Sequence, residues 1–125
     1  MIIVEIHKES SGQIKSLLVS DHSGYAEPGS DIICAGATTL VYTAIGALQD
    51  LCGLEDFYRI IEADDEDSIP FSEIVMPDSA LSEEQLRVSR IILQTVEIGL
   101  KQLEASVNTQ YGNQFIRVTE IIHDK

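Results

Sequence analysis

Ile2, Val4 and Ile6 alternate with Ile3, Glu5 and His7 at the start of the chain. A period of two predicts a strand over residues 2–7. Ser10-Ser11-Gly12 is a turn, and a second strand over about 13–20 follows as the hairpin partner of the first. From Asp21 to Ser30 the composition changes to His, Ser, two glycines and Pro28, which marks a loop of about ten residues. Loops of that length are usually either mobile or functional.

Asp31 reads as an N-cap, and Ile32–Cys52 as a helix whose apolar and small residues run all the way round. Such a helix is buried on several sides. Its interior glycines, Gly36 and Gly46, each cost about 1 kcal/mol against alanine, so close packing on a neighbouring element is expected at both. Gly53 ends the helix as a left-handed residue, with Leu54 folding back.

Residues 57–61 and 69–76 are strand-like and predict a second hairpin across the acidic run at 62–67. Pro70 points to an edge position. Ser82-Glu83-Glu84-Gln85 is a capping box, after which Leu86, Ser89, Leu93, Val96, Leu100 and Leu103 recur at helical spacing to about Ser106. Tyr111-Gly112-Asn113 turns the chain into a last strand over 114–122. The order β-β-α-β-β-α-β predicts a single α+β domain over 1–125, a mainly antiparallel sheet of about five strands packed with two helices.

At 125 residues and 44% apolar, the chain can bury a real core as one domain. No stretch reaches about 18 consecutive apolar residues, and the first residues lack the basic and apolar segments of a signal peptide. A cytoplasmic protein with no membrane partner is expected. The net charge of −13 argues against nucleic acid and favours a basic partner, although acidity also serves solubility alone.

Cys34 and Cys52 fall in the same predicted helix, roughly 27 Å apart at its usual rise, which rules out a disulfide between them. Cys34 occupies the first turn, where unpaired N–H groups and the helix dipole favour a thiolate. His22, in the preceding loop, can take the thiol proton and return it to a leaving amine. The amide of Cys34 or of a neighbour can face a developing oxyanion, and Asp31 can cap the helix and orient His22. Chemistry alone leaves Cys34 open between nucleophile and small buried hydrophobe; Cys52, late in the helix, reads as core.

Other candidates are weaker. The acidic run lacks the glycine and carboxylate spacing of a calcium loop and reads as a solvated turn. His7 and His123 have no second ligand at helical or strand spacing, so no metal is expected, and no cofactor is called for. Gly24 and Gly29 flank Tyr25-Ala26-Glu27-Pro28 as hinges rather than as a phosphate loop.

His22-Ser23-Gly24-Tyr25-Ala26, followed by Gly29-Ser30-Asp31-Ile32-Ile33-Cys34-Ala35, resembles the signature of the ribosomal-processing cysteine protease family, Prp. The resemblance extends to chain length and element order. It implies a thiol endopeptidase that removes the N-terminal extension of ribosomal large-subunit protein twenty-seven. It also implies Cys34 as nucleophile, His22 as base, Asp31 as the aspartate before the helix, and a homodimer. By the same resemblance Gly24 and Gly29 let the loop close on a peptide, and Tyr25 is a candidate to cover it. The family commonly has glycine before the histidine and alanine after it, where this chain has Asp21 and Ser23. A basic precursor suits an acidic enzyme. Two rivals remain: a non-catalytic module that binds a basic ribosomal partner, and a redox sensor built on an exposed thiolate.

Overall fold

The computed structural model describes residues 1–26, 31–62, 69–77 and 80–124. Along the chain lie β1 (Ile2–Glu9), β2 (Ile14–Ser20), α1 (Ile32–Cys52), β3 (Tyr58–Ile61), β4 (Phe71–Val75), α2 (Glu83–Gln110) and β5 (Ile116–His123). The predicted element order is the observed one. Boundaries move by a few residues, most at the end of α2, which runs one turn past Ser106.

All five strands form one sheet in the order β3-β4-β2-β1-β5. β1 pairs antiparallel with β2, placing Val4 opposite Val19 and Ile6 opposite Leu17. β2–β4 and β3–β4 are antiparallel as well. β5 instead lies parallel to β1, Ile2 opposite Ile116 through Glu9 opposite His123. A parallel neighbour needs a crossover, and α2 supplies it. The sheet is therefore mainly antiparallel with one parallel edge.

Pro70 does not mark an edge. β4 is interior, between β3 and β2, and Pro70 stands one residue before it, where no ladder N–H is needed. Its carbonyl accepts from the Asp21 N–H at 3.0 Å, tying the exit of β2 to the entry of β4. The acidic run lies almost wholly outside the described residues.

The core joins Ile2, Val4, Ile6, Leu17, Ile74 and Ile116 of the sheet to both helices. Alternation in β1 gives this directly, since Ile2, Val4 and Ile6 are buried while Ile3, Glu5 and His7 are partly exposed. α1 contributes Ile33, Ala37, Val41, Ala44, Ile45 and Leu48. By length and composition α1 is apolar enough to cross a membrane, yet here this row of side chains packs into the core. α2 is more amphipathic and contributes Leu93, Val96, Leu100 and Val107.

Local signals fix the helix ends. Ser82 and Gln85 form the reciprocal capping box, at 3.0 and 2.9 Å. Gly53 has φ 66°, and the N–H groups of Gly53 and Leu54 close on the carbonyls of Gln49 and Leu48. Gly36 faces Leu103, where an added Cβ would meet Cδ1 at 3.4 Å. Gly46 has open space around it, so close packing does not explain that glycine. Gly99 of α2 lets Leu40 of α1 approach closely: a Cβ there would come within 2.8 Å of Leu40 Cδ2.

Candidate active site

The end of β2 and the start of α1 bring the candidate residues together. Asp31 has extended backbone, φ −87° and ψ 104°, and its Oδ1 accepts from the N–H groups of Ile33 and Cys34, both at 3.0 Å. The expected N-cap is present. Cys34 thus stands in the first turn of α1, half-buried, while Cys52 is 6% exposed and belongs to the core; both are free thiols.

The cap also uses up the amides that were candidates for an oxyanion site. Those of Ile33 and Cys34 face Asp31 Oδ1, and that of Ala35 bonds the Asp31 carbonyl at 3.0 Å. The Cys34 N–H is committed to the cap in this structure.

Two residues beside His22 carry the geometry of the loop. Asp21 has φ 77°, the left-handed region that a non-glycine residue enters at a cost. Aspartate tolerates it by bonding locally, and Asp21 Oδ1 accepts from the His22 N–H at 2.8 Å. Ser23, 2% exposed, donates its hydroxyl to Asp31 Oδ2 and accepts the Tyr25 N–H at 3.0 Å. Its own N–H points at Cys34 Sγ at 3.4 Å. The loop carrying His22 is thereby held against the thiol.

Burial, the largest influence on the Cys34 thiol, pushes it above its ordinary value. Hydrogen bonding from Ser23 opposes this, and the Asp31 charge reinforces it. The helix start alone predicted the opposite direction. The difference arises first because folding buries the sulfur, and second because the cap that forms the helix start places a carboxylate beside it. Burial disfavours the charge on Asp31 too. There the hydrogen bonds from Ser23 and from the amides of Cys34, Ala26 and Ile33 win, and its carboxyl titrates below the ordinary range.

His22 and Cys34 line the same cleft, about 490 Å³ in volume. Val19 and Ile2 contribute from the sheet, Ala37, Thr38 and Tyr42 from α1, and Ile60, Ile61 and Phe71 from the β3–β4 hairpin. These walls come from segments far apart in sequence. Gly24 and Tyr25 are not among the lining residues. Gly24 has φ 79°, and the Tyr25 ring packs edge-on against Tyr111 and Phe115 at 5.0 and 5.6 Å. Gly29 lies outside the described residues. Asp31 reaches the site through the cap and Ser23, and Ser23 itself is a site residue that the sequence reading treated only as a departure from a motif.

No group of three metal-ligating side chains occurs among the described residues. His7 does have a partner, His123 Nε2, at 2.9 Å from its Nδ1, with Glu5 at 3.1 Å from its Nε2. β1 and β5 bring these together across the parallel ladder, remote in sequence.

A partly accessible thiol on the wall of a cleft roomy enough for a peptide segment is what a thiol peptidase requires. The family model described as Cysteine protease Prp matches residues 1–112. The chain belongs to that family and is a cysteine protease, not the non-catalytic binding module that remained a rival on sequence. The ribosomal processing cysteine protease Prp of Bacillus subtilis is 31% identical over 98 residues, covering 78% of this chain and 88% of that protein. The protein of the same name from Staphylococcus aureus is 30% identical over 108 residues, covering 86% and 92%. Among solved structures, SMU.848 from Streptococcus mutans superposes with a TM-score of 0.75 at 20% identity, covering 98% of this chain and 96% of that one. The S. aureus protease Prp with a covalently linked product peptide gives 0.67 at 24%, covering 96% and 99%. These two likenesses establish the fold.

Proposed function

We propose that this chain is an endopeptidase with Cys34 as nucleophile and His22 as general base. Its proposed substrate is a basic ribosomal precursor, that of large-subunit protein twenty-seven, from which it removes the N-terminal extension. The observation that carries the reading is the contact of the Ser23 N–H with Cys34 Sγ at 3.4 Å, which sets the residue next to His22 against a half-buried thiol at an open cleft. The names of the bacterial relatives support the substrate class, and the net charge of −13 favours encounter with a basic protein.

With the thiol held above its ordinary value, the resting sulfur is protonated at neutral pH. Proton transfer then accompanies attack. His22 takes the proton as sulfur bonds to the scissile carbonyl carbon, and the imidazolium gives it to the amine as the C–N bond breaks. Water, deprotonated by His22, next hydrolyses the thioester and frees Cys34. Asp31 acts through the helix cap and Ser23; Gly24 and Gly29 are the proposed substrate-binding glycines, and Tyr25 the proposed cover. The same reading places the enzyme in the cytoplasm as a homodimer, which light scattering of the purified chain tests.

The deciding experiment incubates the purified chain with the precursor ribosomal protein and reads the new N-terminus by mass. Wild type shortens the precursor, while Cys34→Ser and His22→Ala leave it intact. Precursor unchanged by wild type rejects the substrate assignment, and cleavage by Cys34→Ser rejects the role of the sulfur.

A further inference from the structure

The hydroxyl of Ser23 has both of its hydrogen-bonding roles filled inside the protein, donating to Asp31 Oδ2 and accepting from the Tyr25 N–H. A serine 2% exposed is held in one orientation by such a pair of bonds. That orientation aims the Ser23 N–H at Cys34 Sγ, 3.4 Å away. The amides of the helix start, which would otherwise receive charge on the sulfur, are turned to the cap. Ser23 is therefore the backbone donor that faces the sulfur from outside the helix.

We propose that Ser23 is a positioning residue of this site: its hydroxyl, anchored on Asp31, holds its own N–H against Cys34, where it stabilises the thiolate as the proton departs. The proposal deepens the reading of Cys34 as nucleophile and rests on it. In chemical terms the S–H bond breaks, the proton passes to a base, and the N–H···S contact becomes a charge-assisted hydrogen bond. A backbone donor cannot be deleted without altering the chain, but the hydroxyl that aims it can.

The test follows alkylation of Cys34 by iodoacetamide against pH in the full chain, for wild type and for Ser23→Ala, Ser23→Thr and Ser23→Val. Threonine and valine have the same shape and differ only in the hydroxyl, so their comparison removes any effect of crowding at a buried position. Weakening one charge-assisted hydrogen bond slows alkylation near neutral pH by about tenfold and moves the profile to higher pH. Ala and Val variants are expected to show this, and Thr to stay within about threefold of wild type. Labelling of buried Cys52 in the same samples reports unfolding and is expected to remain slow. An Ala profile that overlays wild type, or Thr and Val profiles that coincide, overturns the proposal. Alkylation involves no peptide, so its outcome is separate from cleavage of a ribosomal precursor, which stands or falls on its own assay.

Discussion

Replacing Asp31 separates two effects that the native carboxylate combines, holding the helix start and opposing a charge on the sulfur. Asp31→Ala removes an N-cap, at about 1 kcal/mol. It also leaves the buried Ser23 hydroxyl without its acceptor, at about 1–3 kcal/mol more. Together about 3 kcal/mol is lost, which for 125 residues unfolding with about 2.1 cal/mol/K per residue lowers Tm by about 11 °C. Asp31→Asn keeps an oxygen facing the Ile33 and Cys34 amides but sets an NH2 where Oδ2 accepts from Ser23, so it retains the cap and loses about 1–3 kcal/mol for the unpaired hydroxyl.

Loss of the charge that helps hold the thiol up makes Cys34 more acidic, whereas release of the Ser23 anchor opposes this. The charge is therefore isolated by comparing Ser23→Ala with the double variant Ser23→Ala, Asp31→Asn, in which Cys34 is expected to be the more acidic. Thermal melts and iodoacetamide rates against pH read the two effects side by side. The native Asp31 pKa is lowered, so its stabilisation is present above the ordinary 3.8 and is lost as pH falls through the lower native value. The gap between wild type and Asp31→Ala therefore closes in acid. With Ser23→Ala as background, an Asp31→Asn thiol that titrates unchanged or higher refutes the electrostatic argument, and an Asp31→Ala melt within about 1 °C of wild type refutes the cap.

Three further outcomes follow from other parts of the fold. Asp21→Ala keeps a side chain at φ 77° while losing the bond to the His22 amide, costing about 1–2 kcal/mol in urea unfolding, whereas Asp21→Gly relieves the strain and stays within about 1 kcal/mol of wild type. Leu100→Ala, at a position 0% exposed on the core face of α2, costs about 2–5 kcal/mol by the same measurement, because a cavity replaces packed methyls. Hydrogen bonds from Lys101 and Lys8 hold the Glu120 carboxyl down to about 2, so its stabilisation is full above 4.5 and lost as pH falls through 2. Solvent at a carboxylate 39% exposed limits it to about 1 kcal/mol, and acid unfolding of Glu120→Gln is expected to lose that part of the pH dependence.

What the sequence by itself determined is what depends on neighbours along the chain. Alternation places Ile2, Val4 and Ile6 on one face, Asp31 and Ser82 begin the helices, and Gly53 ends the first. Each is a matter of a few consecutive dihedrals and side chains within a turn. The short motif around His22 and Cys34 was legible for the same reason.

Only the tertiary structure decided what depends on segments that meet from far apart. The parallel pairing of β5 with β1, the interior place of β4 behind Pro70 and the β3–β4 wall of the cleft required chain-distant packing. The direction in which the Cys34 thiol titrates depends on burial by the same packing, and the bond between Ser23 and Asp31, eight residues apart, on how the intervening chain returns to the helix start. A helix start favours a thiolate through local amides. Burial and the electrostatic field add the charges of every group in reach, and those are assigned only when the chain has closed on itself.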